Sequence, residues 1–230
     1  MKACLFDLDG TLAASEVLKA RALAGACASY GIEKADHALY AEVMGQDWDT
    51  VTSHFFQTYR IDADTAEFNN RFRASYLGLI EMEIAATDGA KEFIQECRSA
   101  GLVLGLVSSA DSWMVDKVLQ ALHLEGAFDL VITKNDVSRH KPHPEAYLLA
   151  MSRLRLDREN VVVFEDSAAG LMAATRAGCR CVVIRHSFNV RHDLSRAFIQ
   201  IESFRELLGV KNLIASWKRR TTQEDTRRMR

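Results

Sequence analysis

Five short runs with continuous apolar centres constrain this chain's fold more than any other feature of its sequence. They lie at residues 2–8, 102–108 (Leu-Val-Leu-Gly-Leu-Val-Ser), 128–133, 161–165 (Val-Val-Val-Phe-Glu) and 180–184. Between the later runs lie segments with helical periodicity, at 89–99, 112–122, 144–154 and 167–177. A strand apolar at every position has no solvent face, so it belongs in a parallel sheet covered on both sides by helices. Gly101 and Gly178 stand where helix C-terminal caps belong. The expectation is an α/β fold with a Rossmann-like parallel sheet core.

The segment 15–82 breaks that rhythm and holds no convincing strand. Residues 16–30 suit a helix stopped by Gly31. Trp48, Val51, Phe55 and Tyr59 recur at helical spacing behind Asp47, a plausible N-cap. Phe68, Phe72, Tyr76 and Leu79 repeat the pattern in 65–82. An amphipathic helix must bury one face, so these aromatic stripes are read as core first. A small all-helical domain is therefore inserted after the first strand, with connections near 13–15 and 83–88 as hinges. The division is 1–14 and 86–215 for the α/β core, 15–85 for the helical insertion, and 216–230 for a basic C-terminal tail. That tail carries Lys218, Arg219, Arg220, Arg227, Arg228 and Arg230 and is read as a solvated end.

Bulk properties exclude several function classes. Of 230 residues, 48% are hydrophobic and 26% charged, which is enough for a full core and a second small unit. A formal net charge of -2 gives no global basic field for nucleic acid. The apolar runs are strand-sized, well short of a membrane span. Five cysteines (Cys4, Cys27, Cys97, Cys179 and Cys181), an odd number without a CxxC pair, argue against a disulfide framework or a zinc site. Met1 to Asp7 has no signal-peptide layout. The expectation is a cytoplasmic protein with no nucleic-acid or membrane partner, monomeric by default.

The chemistry is concentrated where strands end. Asp7-Leu8-Asp9-Gly10-Thr11 follows the first strand directly. In open α/β sheets ligands bind at the carboxyl ends of strands, and carboxylates this close raise each other's pKa unless a cation lies between them. Glu165-Asp166 ends the fourth strand, followed by Ser167 and Gly170. Parallel strands place both acidic pairs on one sheet edge, where oxygen ligands with room for water suit a hard dication such as Mg²⁺. Ser108 and Ser109 end the second strand before a helix, a place that favours an anion. Lys141 lies in Arg139-His140-Lys141-Pro142-His143-Pro144, which contains the chain's only two prolines, whose fixed φ values hold the lysine in place. Thr11, Ser108, Ser109 and Lys141 are the candidate phosphate-binding residues.

Taken together, Asp7-Leu8-Asp9-Gly10-Thr11, Ser108, Lys141-Pro142-His143-Pro144 and Glu165-Asp166-Ser167-Ala168-Ala169-Gly170 resemble the four motifs of the haloacid dehalogenase superfamily. The resembling branch contains β-phosphoglucomutase and many sugar-phosphate phosphatases. The resemblance extends to about residue 210 and implies that the helical insertion is a cap domain. It implies Asp7 as nucleophile, Asp9 as general acid and base, and Mg²⁺ held by Asp7, Asp166, the Asp9 backbone carbonyl and, directly or through water, Glu165. The implied activity is Mg²⁺-dependent hydrolysis of a small phosphorylated metabolite, a sugar or sugar-acid phosphate, through an aspartyl-phosphate. A carboxylate is a competent nucleophile toward phosphorus, and phosphoryl transfer needs mostly positioning and charge neutralisation.

The sequence also departs from the family pattern. Ala14-Ser15 stands where an Asp-Ser or Asp-Thr pair is usual, and Asp88-Gly89 where the return from the cap usually has Pro-Gly. Asp9 argues against carbon–halogen cleavage, because the true dehalogenases typically lack it. A phosphomutase is the alternative reading; a catalytically silent binding protein is disfavoured, because every catalytic position is filled. In the β-phosphoglucomutase pattern a Lys precedes the cap-loop glycine and an Arg follows it by three. Here Met44 and Trp48 flank Gly45, so the expectation is hydrolysis rather than isomerisation. Lys19, Gly45, Gln46, Asp47 and Trp48 are the candidate specificity residues.

Overall fold

A computed structural model describes residues 1–46, 48–207 and 209. Strand β1 (Ala3–Phe6) opens the chain, followed by helices α1 (Glu16–Ala28), α2 (Ala38–Val43), α3 (Trp48–Tyr59) and α4 (Thr65–Glu83). Then come α5 (Ala90–Ser99), β2 (Val103–Val107), α6 (Ser112–Ala121) and β3 (Leu130–Ile132). The chain continues through α7 (Glu145–Leu154), β4 (Val161–Glu165), α8 (Ala168–Arg176), β5 (Arg180–Ile184) and β6 (Ile199–Ile201).

The six strands form one sheet of order β3-β2-β1-β4-β5-β6, and every pairing is parallel. From β1 the chain builds outward through β2 and β3, then returns to lay β4, β5 and β6 on the other side. The order reverses between β1 and β4, the place where such sheets leave a crevice at their carboxyl ends. Phe6 stands opposite Phe164 in register, and the Asp7 N–H bonds the Phe164 carbonyl at 2.9 Å. Asp7 and Glu165 therefore leave the sheet side by side.

Alternation along β1 sends Cys4 and Phe6 to one face and Ala3 and Leu5 to the other. On the first face Phe6 stacks on Phe164 with centroids 4.7 Å apart, and Phe93 of α5 closes over both. On the second, Tyr147 and Ala150 of α7 and Leu171 and Ala174 of α8 cover the strands. This two-sided burial is why the strands carry no polar alternation.

Helices α1 to α4 form the insertion expected after the first strand. α1 packs along α4, which begins at Asp64, whose carboxylate accepts the Glu67 N–H. The two connecting segments run side by side: Ala14 N–H bonds the Ala85 carbonyl and Thr87 N–H the Leu12 carbonyl, each at 2.9 Å. Two elements lie outside the sequence expectation. α2 is six residues long and β6 three, each too short to establish a period. Asp47, the expected N-cap of α3, and the basic tail 216–230 lie outside the described residues. Among those described, no helix is long and apolar enough to cross a membrane.

Candidate active site

The carboxyl ends of β1, β2 and β4 and the underside of the insertion enclose a cavity of about 320 Å³. Asp7, Ser108, Lys141 and Asp166 lie on its floor, and Gly45, Gln46, Trp48, Asn69 and Phe72 on its roof.

Lys141 is the centre of the floor. Its Nζ donates to Asp7 Oδ1 at 2.6 Å, Glu165 Oε1 at 2.6 Å and the Val107 carbonyl at 2.9 Å, using all three of its donors. Burial alone would depress this lysine's pKa, but Asp7 and Glu165 more than reverse that and hold it above the ordinary lysine range. Asp7 is pushed well above the usual carboxylate range by burial, with repulsion from Glu165 and Asp166 adding to it and Lys141 opposing. Asp166 is raised in the same way, by burial and by the charges of Glu16 and Glu165.

Asp7, Glu165 and Asp166 can bring one oxygen each within 4.8 Å of one another, and all three are buried. An all-oxygen, carboxylate-only set of this kind suits a hard dication. Glu165 is already committed elsewhere: Oε1 also accepts the Tyr147 hydroxyl at 2.6 Å, and Oε2 lies 3.2 Å from the Asp166 N–H and 3.3 Å from Ser167 Oγ. Asp7 and Asp166 have more unused oxygen capacity. Gly10 makes room for Asp166, since a Cβ there would fall 2.1 Å from Asp166 Oδ2 on a backbone with φ of +75°.

Asp9 occupies the junction between floor and roof. Its Oδ1 accepts Ser15 Oγ at 2.7 Å, lies 3.1 Å from Lys19 Nζ and is approached by the Tyr76 hydroxyl at 3.4 Å. Lys19 pairs with Glu16 as well, at 2.9 Å, and Glu16 accepts the Tyr40 hydroxyl at 2.7 Å. Lys19 is thus on the cavity wall with its ammonium held by two carboxylates; burial opposes its charge, and Asp9 and Glu16 raise its pKa well above the ordinary value. Deep in the floor Asp7, Glu165 and Asp166 gather around the single ammonium of Lys141, while Lys19, Arg73 and Lys134 add cations on the cavity wall. The buried acidic cluster is the part of the site suited to a cation.

The other expected residues are distributed unevenly. Ser108 is buried at the end of β2, its Oγ accepting the Ala110 N–H at 3.1 Å, and Ser109 is exposed on the cavity wall. Thr11 is fully buried, is not on the cavity wall, and its hydroxyl has no partner among the described residues. Gly45 presses the loop before α3 against α8, since a Cβ there would lie 3.0 Å from Ser167 Cβ. Trp48 tilts over Phe72 with centroids 4.3 Å apart.

Sequence reasoning missed several participants. His186 Nε2 lies 3.0 Å from Asp166 Oδ2, and burial keeps its imidazole below its ordinary pKa. Fully buried Asn189 donates to the carbonyls of Asp166 and Ile184 at 2.9 and 2.8 Å and so fixes the end of β4. Both follow β5, so the strand-end rule that selected Asp7 and Glu165 could have marked them. Arg73 on α4 stacks on Trp113 of α6, guanidinium to ring 4.4 Å, joining roof to floor across the mouth; no sequence signal links those two positions.

Comparison with known proteins agrees with this geometry. The family model for haloacid dehalogenase-like hydrolases matches residues 4–184. Validoxylamine A 7'-phosphate phosphatase of Streptomyces hygroscopicus subsp. limoneus is 35% identical over 184 residues, covering 79% of this chain and 84% of that protein. Hexitol phosphatase B of Escherichia coli strain K12 is 30% identical over 183 residues, covering 79% and 82%. Among solved structures, CbbY from Rhodobacter sphaeroides in complex with phosphate superposes with a TM-score of 0.78 at 29% identity, over 90% of this chain and 96% of that one.

Proposed function

The chain belongs to the haloacid dehalogenase-like hydrolases, and from that premise we propose that it is a Mg²⁺-dependent phosphatase acting on a small phosphorylated metabolite, a sugar or sugar-acid phosphate. The observation that supports this most is the convergence of Asp7, Lys141 and Asp166 at the sheet's switch point, with buried negative charge in excess. Core 1–14 and 86–215 then carries the chemistry, and cap 15–85 covers it.

In this reading the phosphate sits among Asp7, Ser108, Ser109 and Lys141. An Asp7 carboxylate oxygen attacks phosphorus, and the bond from phosphorus to the substrate oxygen breaks. Asp9 gives that leaving oxygen its proton, leaving an aspartyl-phosphate on Asp7. Asp9, now ionised, takes a proton from water, and the resulting hydroxide displaces Asp7 and releases inorganic phosphate. Ser15, Lys19 and Tyr76 hold Asp9 in place for both transfers. Lys141 balances charge on Asp7 and bridges it to Glu165. Mg²⁺, bound by Asp7, Asp166 and the Asp9 carbonyl with Glu165 in support, would neutralise the phosphate oxygens and the carboxylate excess.

Arg73 keeps the phosphomutase alternative open, because the roof does carry a cation that a second phosphate could meet. A panel of phosphorylated metabolites assayed with and without Mg²⁺ tests the main reading, and absence of Mg²⁺-dependent phosphate release from every member would refute it. The alternative is tested with β-glucose 1-phosphate and a catalytic amount of the 1,6-bisphosphate: glucose 6-phosphate forming faster than free phosphate would establish isomerisation.

A further inference from the structure

Asn69, on α4, lines the cavity roof, and its orientation is fixed from α3. Asn69 Oδ1 accepts the indole Nε1–H of Trp48 at 2.8 Å. The Thr52 hydroxyl, which also reaches the Trp48 carbonyl at 2.9 Å, approaches the same oxygen at 3.2 Å. An indole N–H can only donate, so the atom it meets is the carboxamide oxygen; turning the amide over would set N–H against N–H. Trp48 is itself packed on Phe72, and Phe72 stacks on Tyr76 with centroids 5.5 Å apart. The NH₂ end of Asn69 has no protein partner among the described residues, and it is the part of this half-buried side chain left to meet a ligand.

We infer that Asn69 is a specificity-determining residue whose NH₂ group donates to a hydroxyl or ring oxygen on the substrate's carbon chain, with Trp48 as the positioning residue that keeps those donors turned toward it. The cavity around it fits such a chain: Trp48 and Met44 from the roof and Trp113 and Met114 from the core side offer apolar surface to carbon faces, and Asn69 a directed donor to an oxygen between them. Phosphate esters of hydroxylated chains are then favoured over short esters with no acceptor beyond the phosphate group. This inference rests on the phosphatase reading above.

Asn69→Asp isolates the contact. A carboxylate of the same shape still accepts from Trp48 and Thr52, while the end facing the substrate changes from two donors to a charged acceptor. The readout is the ratio of kcat/KM for sorbitol 6-phosphate to that for ethyl phosphate, at saturating Mg²⁺. Asn69→Asp should lower this ratio about 100-fold and Asn69→Ala about 10-fold, mainly through KM for the sugar ester. Trp48→Phe keeps a ring on Phe72 but removes the N–H that fixes the amide; it should lower the ratio severalfold and blunt the further effect of Asn69→Ala. An unchanged ratio in Asn69→Asp, with wild type active, overturns the inference and leaves the phosphatase reading intact. If Asn69→Asp does not fold, the Trp48→Phe ratio decides, and no change there overturns it equally. A wild type inactive on every phosphate ester defeats both.

Discussion

On the floor of the cavity Lys141 commits every donor it has, to Asp7, Glu165 and the Val107 carbonyl, and Glu165 accepts from four neighbours. On the roof Asn69 leaves one end unmatched, Gln46 and Arg73 are exposed, and the fixed partners are mostly rings packed on rings. The floor is held in one arrangement by bonds on all sides, as a group that must meet a phosphorus atom requires. The roof is rigid where it packs and unsatisfied where it faces the cavity, as a surface that discriminates among carbon skeletons requires. Floor substitutions should therefore affect every substrate alike, and roof substitutions should affect substrates selectively.

The largest expected effect is at Asp7. Asp7→Asn keeps the shape and loses the nucleophile, and turnover should fall by on the order of 10⁴ for every ester. Phosphate release near the wild-type rate from the purified variant would end the covalent mechanism, and a loss confined to some substrates would break the contrast between floor and roof.

Lys141→Ala comes next. It leaves Asp7 and Glu165 buried beside each other without their cation, which should cost about 3 kcal/mol or more of stability and lower Tm by roughly 10 °C for a chain of this size. The pH dependence has a definite sign. Lys141 is raised on folding, so its contribution is complete below the ordinary lysine pKa, ~10.4, and is lost only as pH rises through the higher folded value. The Tm difference between wild type and variant should therefore hold or widen from pH 6 to 9, since the variant's unpaired carboxylates are relieved only by taking up protons as pH falls; a difference that shrinks as pH rises across that window would mean Lys141 is not the held cation.

Asp166→Ala should raise the Mg²⁺ concentration for half-maximal activity about 10- to 100-fold. Overlapping titrations of variant and wild type would remove Asp166 from the ligand set.

The smallest signal compares the two regions directly. All five cysteines are buried, and burial pushes the Cys27 thiol of α1 up to about 11 and the Cys179 thiol up to about 12. At pH 8 both stay protonated, so labelling by a thiol reagent should wait on local opening. Cys27, in the smaller helical unit, should label before Cys4, Cys97, Cys179 and Cys181, as mass spectrometry of the labelled peptides would show. Simultaneous labelling would mean that both regions open as one.

The contrast also explains what the sequence made legible. Asp7, Asp9, Glu165 and Asp166 each follow an apolar run, and the parallel sheet gathers strand ends on one edge, so short-range patterns sufficed for the floor. The same rule extends to His186 and Asn189, which follow the end of β5. The roof offered no such rule. Helical spacing correctly marked Trp48, Phe72 and Tyr76 as packed, but an amphipathic stripe does not say which polar residue at its border turns toward a ligand. Asn69 is set by Trp48, 21 residues away on another helix, and Arg73 by Trp113 in the core. Thr11 shows the opposite limit: motif position put it among the phosphate-binding candidates, yet the turn directs its side chain into the interior. Lys19 stood out as a cation near the substrate, but proximity in sequence could not show that Asp9 and Glu16 hold it.

The pairing of the two connecting segments has a consequence for how such a molecule can be altered. The chain leaves the core at Ala14 and re-enters at Ala85 within hydrogen-bond distance of its exit. Four helices are thus attached through a doorway one residue pair wide. A unit whose two ends meet can be lifted out and a relative's equivalent joined at the same pair without stretching the sheet. If such a graft folds, substrate preference should travel with the transplanted helices, and the power to cleave the phosphate ester should stay behind with the sheet.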